Sequence, residues 1–169
     1  MPPRLLPPTP GWMWFTPLVA AVVALAFVPP FVDGVARMGL MHGFSFVCHQ
    51  IPERSFAVGG VQVALCHRCT GIFGGAVLGL LAAPFLVRLG TEVGRVVLRR
   101  VPPRRRAVAL LLIALIPVTV DWALGATGLW ANTMVSRVLT GTLLGATAGL
   151  LIGRAFLAPP DRSLTLTHT

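Results

Sequence analysis

The sequence predicts an all-α membrane protein: four transmembrane helices with a small β-hairpin in the first outer connection. Three observations lead there. Hydrophobic residues make up 55% of the 169 and charged residues 11%, against about 25% charged in a soluble domain, whose surface must be hydrated. Mean hydropathy is +0.81, and the apolar residues gather into segments near the ~20 residues that cross a bilayer. The basic residues concentrate between those segments. A soluble globular domain, a disordered chain and a disulfide-rich secreted domain are all excluded. One domain, 1–169, accounts for the whole chain.

The first apolar segment, about 11–32, contains Thr16–Val28 ahead of Pro29-Pro30. Only Arg4 precedes it, and no small-x-small cleavage site lies before Asp33, so it reads as a retained helix and not a signal peptide. The prolines kink or end it. The second segment runs about 70–87, the third about 107–126 with a kink expected at Pro117, and the fourth about 138–157. The tails, Met1–Pro10 and Ala158–Thr169, read as poorly ordered.

Net charge is +9 and every cation is arginine. In a soluble chain that charge would suggest nucleic acid. Here seven arginines (Arg88, Arg95, Arg99, Arg100, Arg104, Arg105 and Arg106) fill one connection between apolar segments. Cytoplasmic loops accumulate arginine. Placing this connection inside brings Arg4, Arg154 and Arg162 inside with it, leaving Arg37, Arg54, Arg68 and Arg137 outside. The expectation is a multi-pass protein of the cell membrane with both termini cytoplasmic. Its partner is the lipid bilayer, with anionic lipid contact at the basic block and no nucleic acid.

Glycine recurs every fourth residue at Gly71, Gly75 and Gly79, continued by Ala83, and again at Gly141, Gly145, Gly149 and Gly153. Small residues at this spacing groove one helix face and let backbones approach where no hydrophobic effect drives association. The second and fourth helices should therefore pack closely, within one chain or across a homo-oligomer.

The chemistry lies in the outer connection 33–69, which holds all three cysteines and three of the four histidines. Gly59-Gly60 between β-branched runs signals a two-residue hairpin. Pairing Val58 with Val61 sets Glu53 opposite Cys66 and folds Cys48-His49 toward Cys69. Cysteine and histidine are the ligands of tetrahedral zinc, and Cys-x-x-Cys is its usual chelating half. Cys48, Cys66 and Cys69 with His49 or His67 would make a Cys3His site for zinc or another thiophilic metal. The competing chemistry is a Cys66–Cys69 disulfide in a membrane thiol oxidoreductase, with Arg68 and a helix starting near Thr70 favouring a Cys69 thiolate. Gln50, Arg54, His67, Arg68, Asp121 and Arg137 are the candidates for supporting the site. Asp121, a carboxylate inside an apolar segment, is expected to pair with Arg137 or to line the site with Asn132 and Ser136. His42 has weak support, and His168 should be solvated.

Cys48-His49-Gln50, Arg54-Ser55-Phe56 and Cys66-x-Arg68-Cys69-Thr70-Gly71 together resemble the signature of an uncharacterised family of small prokaryotic multi-pass membrane proteins, a domain of unknown function. The likeness is close over 44–79 and looser through Asp121-Trp122, Ser136-Arg137 and Thr140-Gly141. It implies a membrane location but no activity. The position of His67 varies in that family, so the resemblance implies His49 as fourth ligand. The topology is also similar to that of disulfide-forming membrane proteins, but the second outer connection, Trp122–Ser136, holds no cysteine. Without that second pair, metal binding is the preferred reading and thiol–disulfide exchange the alternative.

Overall fold

The computed structural model describes residues 10–97, 99, 101–102 and 105–157. Residues 1–9 and 158–169, including Arg4, Arg162 and His168, lie outside them, as do Arg100 and Arg104. In chain order the elements are α1 (Pro10–Leu25), a 3-10 turn (Pro29–Phe31), α2 (Gly34–Ser45), a second 3-10 turn (Pro52–Arg54), β1 (Ser55–Val58), β2 (Val61–Cys66), α3 (His67–Val97), α4 (Arg106–Ala126) and α5 (Met134–Leu157).

Three helical stretches are long and apolar enough to cross a membrane: His67–Leu86, Arg106–Ala126 and Met134–Leu157. Their exposed residues include Leu78, Leu81, Leu112, Ile116, Leu139 and Leu143, the surface that lipid covers. The first apolar segment behaves differently. α1 has 16 residues, about 24 Å at 1.5 Å per residue, against a hydrocarbon core of about 30 Å. It stops at Leu25, where Ala26, Phe27 and Val28 donate to carbonyls three residues back. Pro29 and Pro30 then have no N–H with which to resume the ladder. α4 continues through Pro117 without interruption.

α3 and α5 form the centre of the bundle, running parallel with their glycine faces against each other. A Cβ on Gly75 would stand 2.5 Å from the Thr142 carbonyl oxygen, and one on Gly141 2.5 Å from that of Arg68. Cβ atoms on Gly79, Gly145 and Gly149 would come closer still, to the carbonyl oxygens of Ala146, Ile72 and Ala76. The glycine repeats are thus consumed within one chain. α4 lies antiparallel on α5. At the other end of the bundle α1 begins near the end of α5, with Phe15 and Phe156 rings 5.0 Å apart and Trp12 Nε1 donating to the Leu80 carbonyl at 3.0 Å.

The 33–69 connection folds over the N-termini of α3 and α5. The sequence did not reveal α2, whose three glycines (Gly34, Gly39 and Gly43) mask a helical pattern. Arg37 secures its approach: Nε donates to the Pro29 and Val32 carbonyls at 3.1 and 2.9 Å, and a guanidinium nitrogen lies 2.5 Å from Asp33. The hairpin forms with the expected Val58–Val61 pairing. Gly59 and Gly60 have φ of 58° and 79°, as a type I′ turn demands. The register slips at a bulge between Ser55 and Ala57, so Cys66 faces Ser55 and not Glu53. Pro52–Arg54 turns as a 3-10 segment and carries Glu53 out of the ladder. A side chain at positive φ costs about 1–2 kcal/mol, so Gly59→Val should lower the unfolding free energy by that amount, read from the thermal midpoint in detergent. An unchanged midpoint would show that the turn tolerates another geometry.

β2 is the keystone of this cap. Val63, Ala64 and Leu65 are buried, and the Ala64 N–H donates to the Ala26 carbonyl at 2.8 Å. Ala26, Cys48, Ala64 and Leu65 form a small core with Met41, Phe44, Cys66, Cys69 and Phe73 packed on it.

Candidate metal centre

Three segments deliver the three cysteines. Cys48 leaves α2 through a tight turn, its N–H bonded to the Phe44 carbonyl at 3.0 Å, and is only 3% exposed. The chain then reverses at Gln50, the one non-glycine residue with positive φ (50°) among the described residues. The Gln50 amide is spent on holding that reversal, donating to the Met41 and Ala64 carbonyls at 2.7 and 3.1 Å. The Gln62 amide donates to the Gln50 carbonyl at 3.1 Å. Gln50 therefore acts through the backbone, locking Cys48 beside β2.

Cys66 ends β2 and immediately precedes α3. Its own N–H donates to Cys48 Sγ at 3.2 Å. Cys69 lies in the first turn of α3, its sulfur 3.9 Å from the Val47 carbonyl oxygen. The three sulfurs all lie within 4.8 Å of one another. The helix begins at His67, earlier than expected from the sequence, and this changes which thiol is activated. Cys66 sits in the capping position. The Cys69 thiol donates to it, as do the backbone N–H groups of Cys69 and Arg68, and together these outweigh burial to lower its pKa to about 5. Helix-terminal N–H groups stabilise an anion at that position.

A consequence can be tested in metal-free protein. The thiolate is the nucleophile and predominates above the folded pKa, so Cys66 should still alkylate at about pH 6.5, where an ordinary thiol with pKa near 8.5 is about 1% ionised. Its rate should fall only as the pH drops through about 5. Peptide mapping of iodoacetamide-treated protein reads this directly. A Cys66 rate that begins to rise only above pH 8 would remove the thiolate.

The remaining candidates fall into place around the sulfurs. His49 is exposed and lines the same cleft as the cysteines, outside the converging sulfur group. His67 is buried, its ring edge-on to Phe56 at 4.6 Å and its Nδ1 without a hydrogen-bond partner. Arg54, Arg68 and Arg137 line the cleft with Trp122 and Ile72. Asp121 pairs with Arg68 and not with Arg137, because residue 68 lies in the first turn of α3, directly across from the end of α4. Asn132 donates to the Asp121 backbone carbonyl, and the Ser136 hydroxyl donates to the Thr133 carbonyl at 3.1 Å. His42 packs edge-on against Phe46 at 5.3 Å and is not among the cleft residues. Sequence reasoning missed Trp122 and Ile72 as cleft walls, since neither residue type marks a site by itself.

The fold and the cluster define a helical membrane protein with a three-cysteine centre at one end of its bundle. The chain belongs to the family described as "Predicted membrane protein (DUF2085)", which matches residues 48–151. That span opens at Cys48 and takes in all three cysteines, the three cleft arginines, Asp121 and most of both glycine faces. An uncharacterized protein of Methanocaldococcus jannaschii, MJ1492, is 35% identical over 104 residues, covering 62% of this chain and 60% of that one. An uncharacterized protein of Methanothermobacter thermautotrophicus is 35% identical over 102 residues, covering 60% of this chain and 80% of that one. No solved structure matches.

Proposed function

We propose that this protein is a four-span membrane protein holding a thiophilic metal ion, zinc foremost, on the extracytoplasmic face through Cys48, Cys66, Cys69 and His49. The observation that carries the reading is the convergence of the three sulfurs within 4.8 Å. At 2.3 Å from a common tetrahedral zinc, sulfurs lie about 3.8 Å apart, so the ligands need close by only a small amount. The N–H groups aimed at Cys66 favour the thiolate a metal requires. His49, at the rim of the cleft, is the fourth donor. A bound ion would tie the end of α2, the end of β2 and the start of α3 together, making the cap over the bundle rigid.

The thiol-exchange alternative has an observation of its own, the lowered Cys66 beside the Cys69 thiol. Elemental analysis and thiol counting on the purified chain separate the two. One zinc per chain with all three thiols protected from alkylation supports the metal. Metal-free protein with one disulfide and one free thiol overturns it.

α1 with the following 3-10 turn is the fourth span, running from the end that holds the α5 terminus to the cap. The arginine distribution orients the cap outside and both termini in the cytoplasm. A reporter that works only in the cytoplasm should be active when fused within 98–103 and silent when fused after residue 60. The opposite pattern would invert the topology and move the cysteines to the reducing side.

A further inference from the structure

Arg54, Arg68 and Arg137 come from three elements: the 3-10 turn before β1, the first turn of α3 and the first turn of α5. They nevertheless line one cleft of about 230 Å³ above the sulfurs. Arg54 and Arg68 both stand near enough to repel Arg137. Such a gathering calls for negative charge. Asp121 supplies one carboxylate, and Arg68 already engages it. Glu53, next to Arg54 in the chain, is exposed and not among the cleft residues. Among the described residues no carboxylate is paired with Arg54 or Arg137. Three thiolates around a divalent ion would return a single negative charge, so the cleft keeps a positive excess with the metal site filled.

We infer that this cleft binds a phosphate-type oxyanion, gripped by Arg54 and Arg137 while Asp121 holds Arg68 in place. Guanidinium forks match the tetrahedral oxygens of phosphate bidentately. The volume exceeds what a bare phosphate fills, and Ile51, Ile72 and Trp122 line the remainder, which suits an organic substituent on the anion. The same chemistry is offered by a soluble phosphate compound and by a phospholipid headgroup at the membrane surface.

The full chain in uncharged detergent, titrated with inorganic phosphate at constant ionic strength, tests the soluble source by calorimetry. Nanodiscs of phosphatidylcholine with and without phosphatidylglycerol, followed by native mass spectrometry of retained lipid, test the other. Saturable phosphate binding without lipid preference identifies a soluble ligand, and retained phosphatidylglycerol identifies a headgroup. In whichever arm responds, Arg54→Gln and Arg137→Gln should each weaken binding by about tenfold or more, the worth of a charge-assisted contact. In the calorimetric arm, Arg105→Gln, in the basic connection at the other end of the bundle, should leave phosphate binding unchanged. If Arg137→Gln does not fold, the exposed Arg54 decides alone. Neither probe binding saturably, or binding undiminished in folded Arg54→Gln, overturns the inference. Zinc content measured on the same samples keeps the two readings apart. A metal-free chain that binds phosphate retains the oxyanion site, and a zinc-loaded chain blind to both probes retains only the metal.

Discussion

Gly145→Leu is expected to abolish folded protein. A Cβ at this position would meet the Ile72 carbonyl oxygen at a distance no real Cβ tolerates, with the Ala76 nitrogen 2.9 Å away. Both obstacles are backbone, so no rotamer change relieves them, and leucine adds three further carbons in the same direction. α3 and α5 would have to separate along their length, losing the close packing that membrane helices rely on. The cost should exceed the ~1–3 kcal/mol typical of overpacking, read as loss of the monodisperse peak in size-exclusion chromatography. Gly74→Ala is the control, because nothing lies within 4 Å of a Cβ there. It should be neutral or slightly stabilising, since alanine is the better helix former by up to about 1 kcal/mol. Equal yields from Gly145→Leu and Gly74→Ala would mean that the two helices do not touch through this face.

The second large effect concerns the sulfurs. Cys48→Ala should take the metal content of purified protein from about one ion per chain to near zero, because it removes the most buried of the three thiol ligands. His49→Ala should spare all three thiols yet weaken retention against a chelator, by about tenfold or more if it supplies the fourth donor. The comparison is informative because the redox alternative gives the opposite order. There, Cys48→Ala leaves the Cys66–Cys69 pair able to oxidise, and His49 has no ligand role to lose. Metal retention identical in wild type and His49→Ala would restrict the protein donors to the three cysteines.

Much of this was legible along the chain, for identifiable reasons. The glycine faces could be read because a period of four on a helix has one spatial meaning, a groove along one side. Cys48 could be brought to Cys66 and Cys69 because Gly59-Gly60 permits one tight turn and the strand pairing follows from it. The same pairing, extended past the bulge, misassigned Glu53. A bulge between Ser55 and Ala57 leaves no mark in residue type, and it shifts everything beyond it by two positions. The Arg68–Asp121 pair was missed for a related reason. Its members are 53 residues apart, and only the parallel docking of α3 and α5, with α4 beside them, decides which arginine reaches the carboxylate.

By itself the sequence determined what depends on composition and short spacing: the membrane environment, the apolar spans, the hairpin turn, the glycine-faced helices and the gathering of the three cysteines. Only the tertiary structure decided which thiol caps α3, that the glycine faces meet within one chain, that Gln50 is a backbone clamp, and that three arginines from three elements share one cleft. The division is physical. Hydropathy and turn chemistry act between near neighbours, whereas the electrostatics of a site depend on which helix ends are brought together, and the close approach of α3 and α5 sets that.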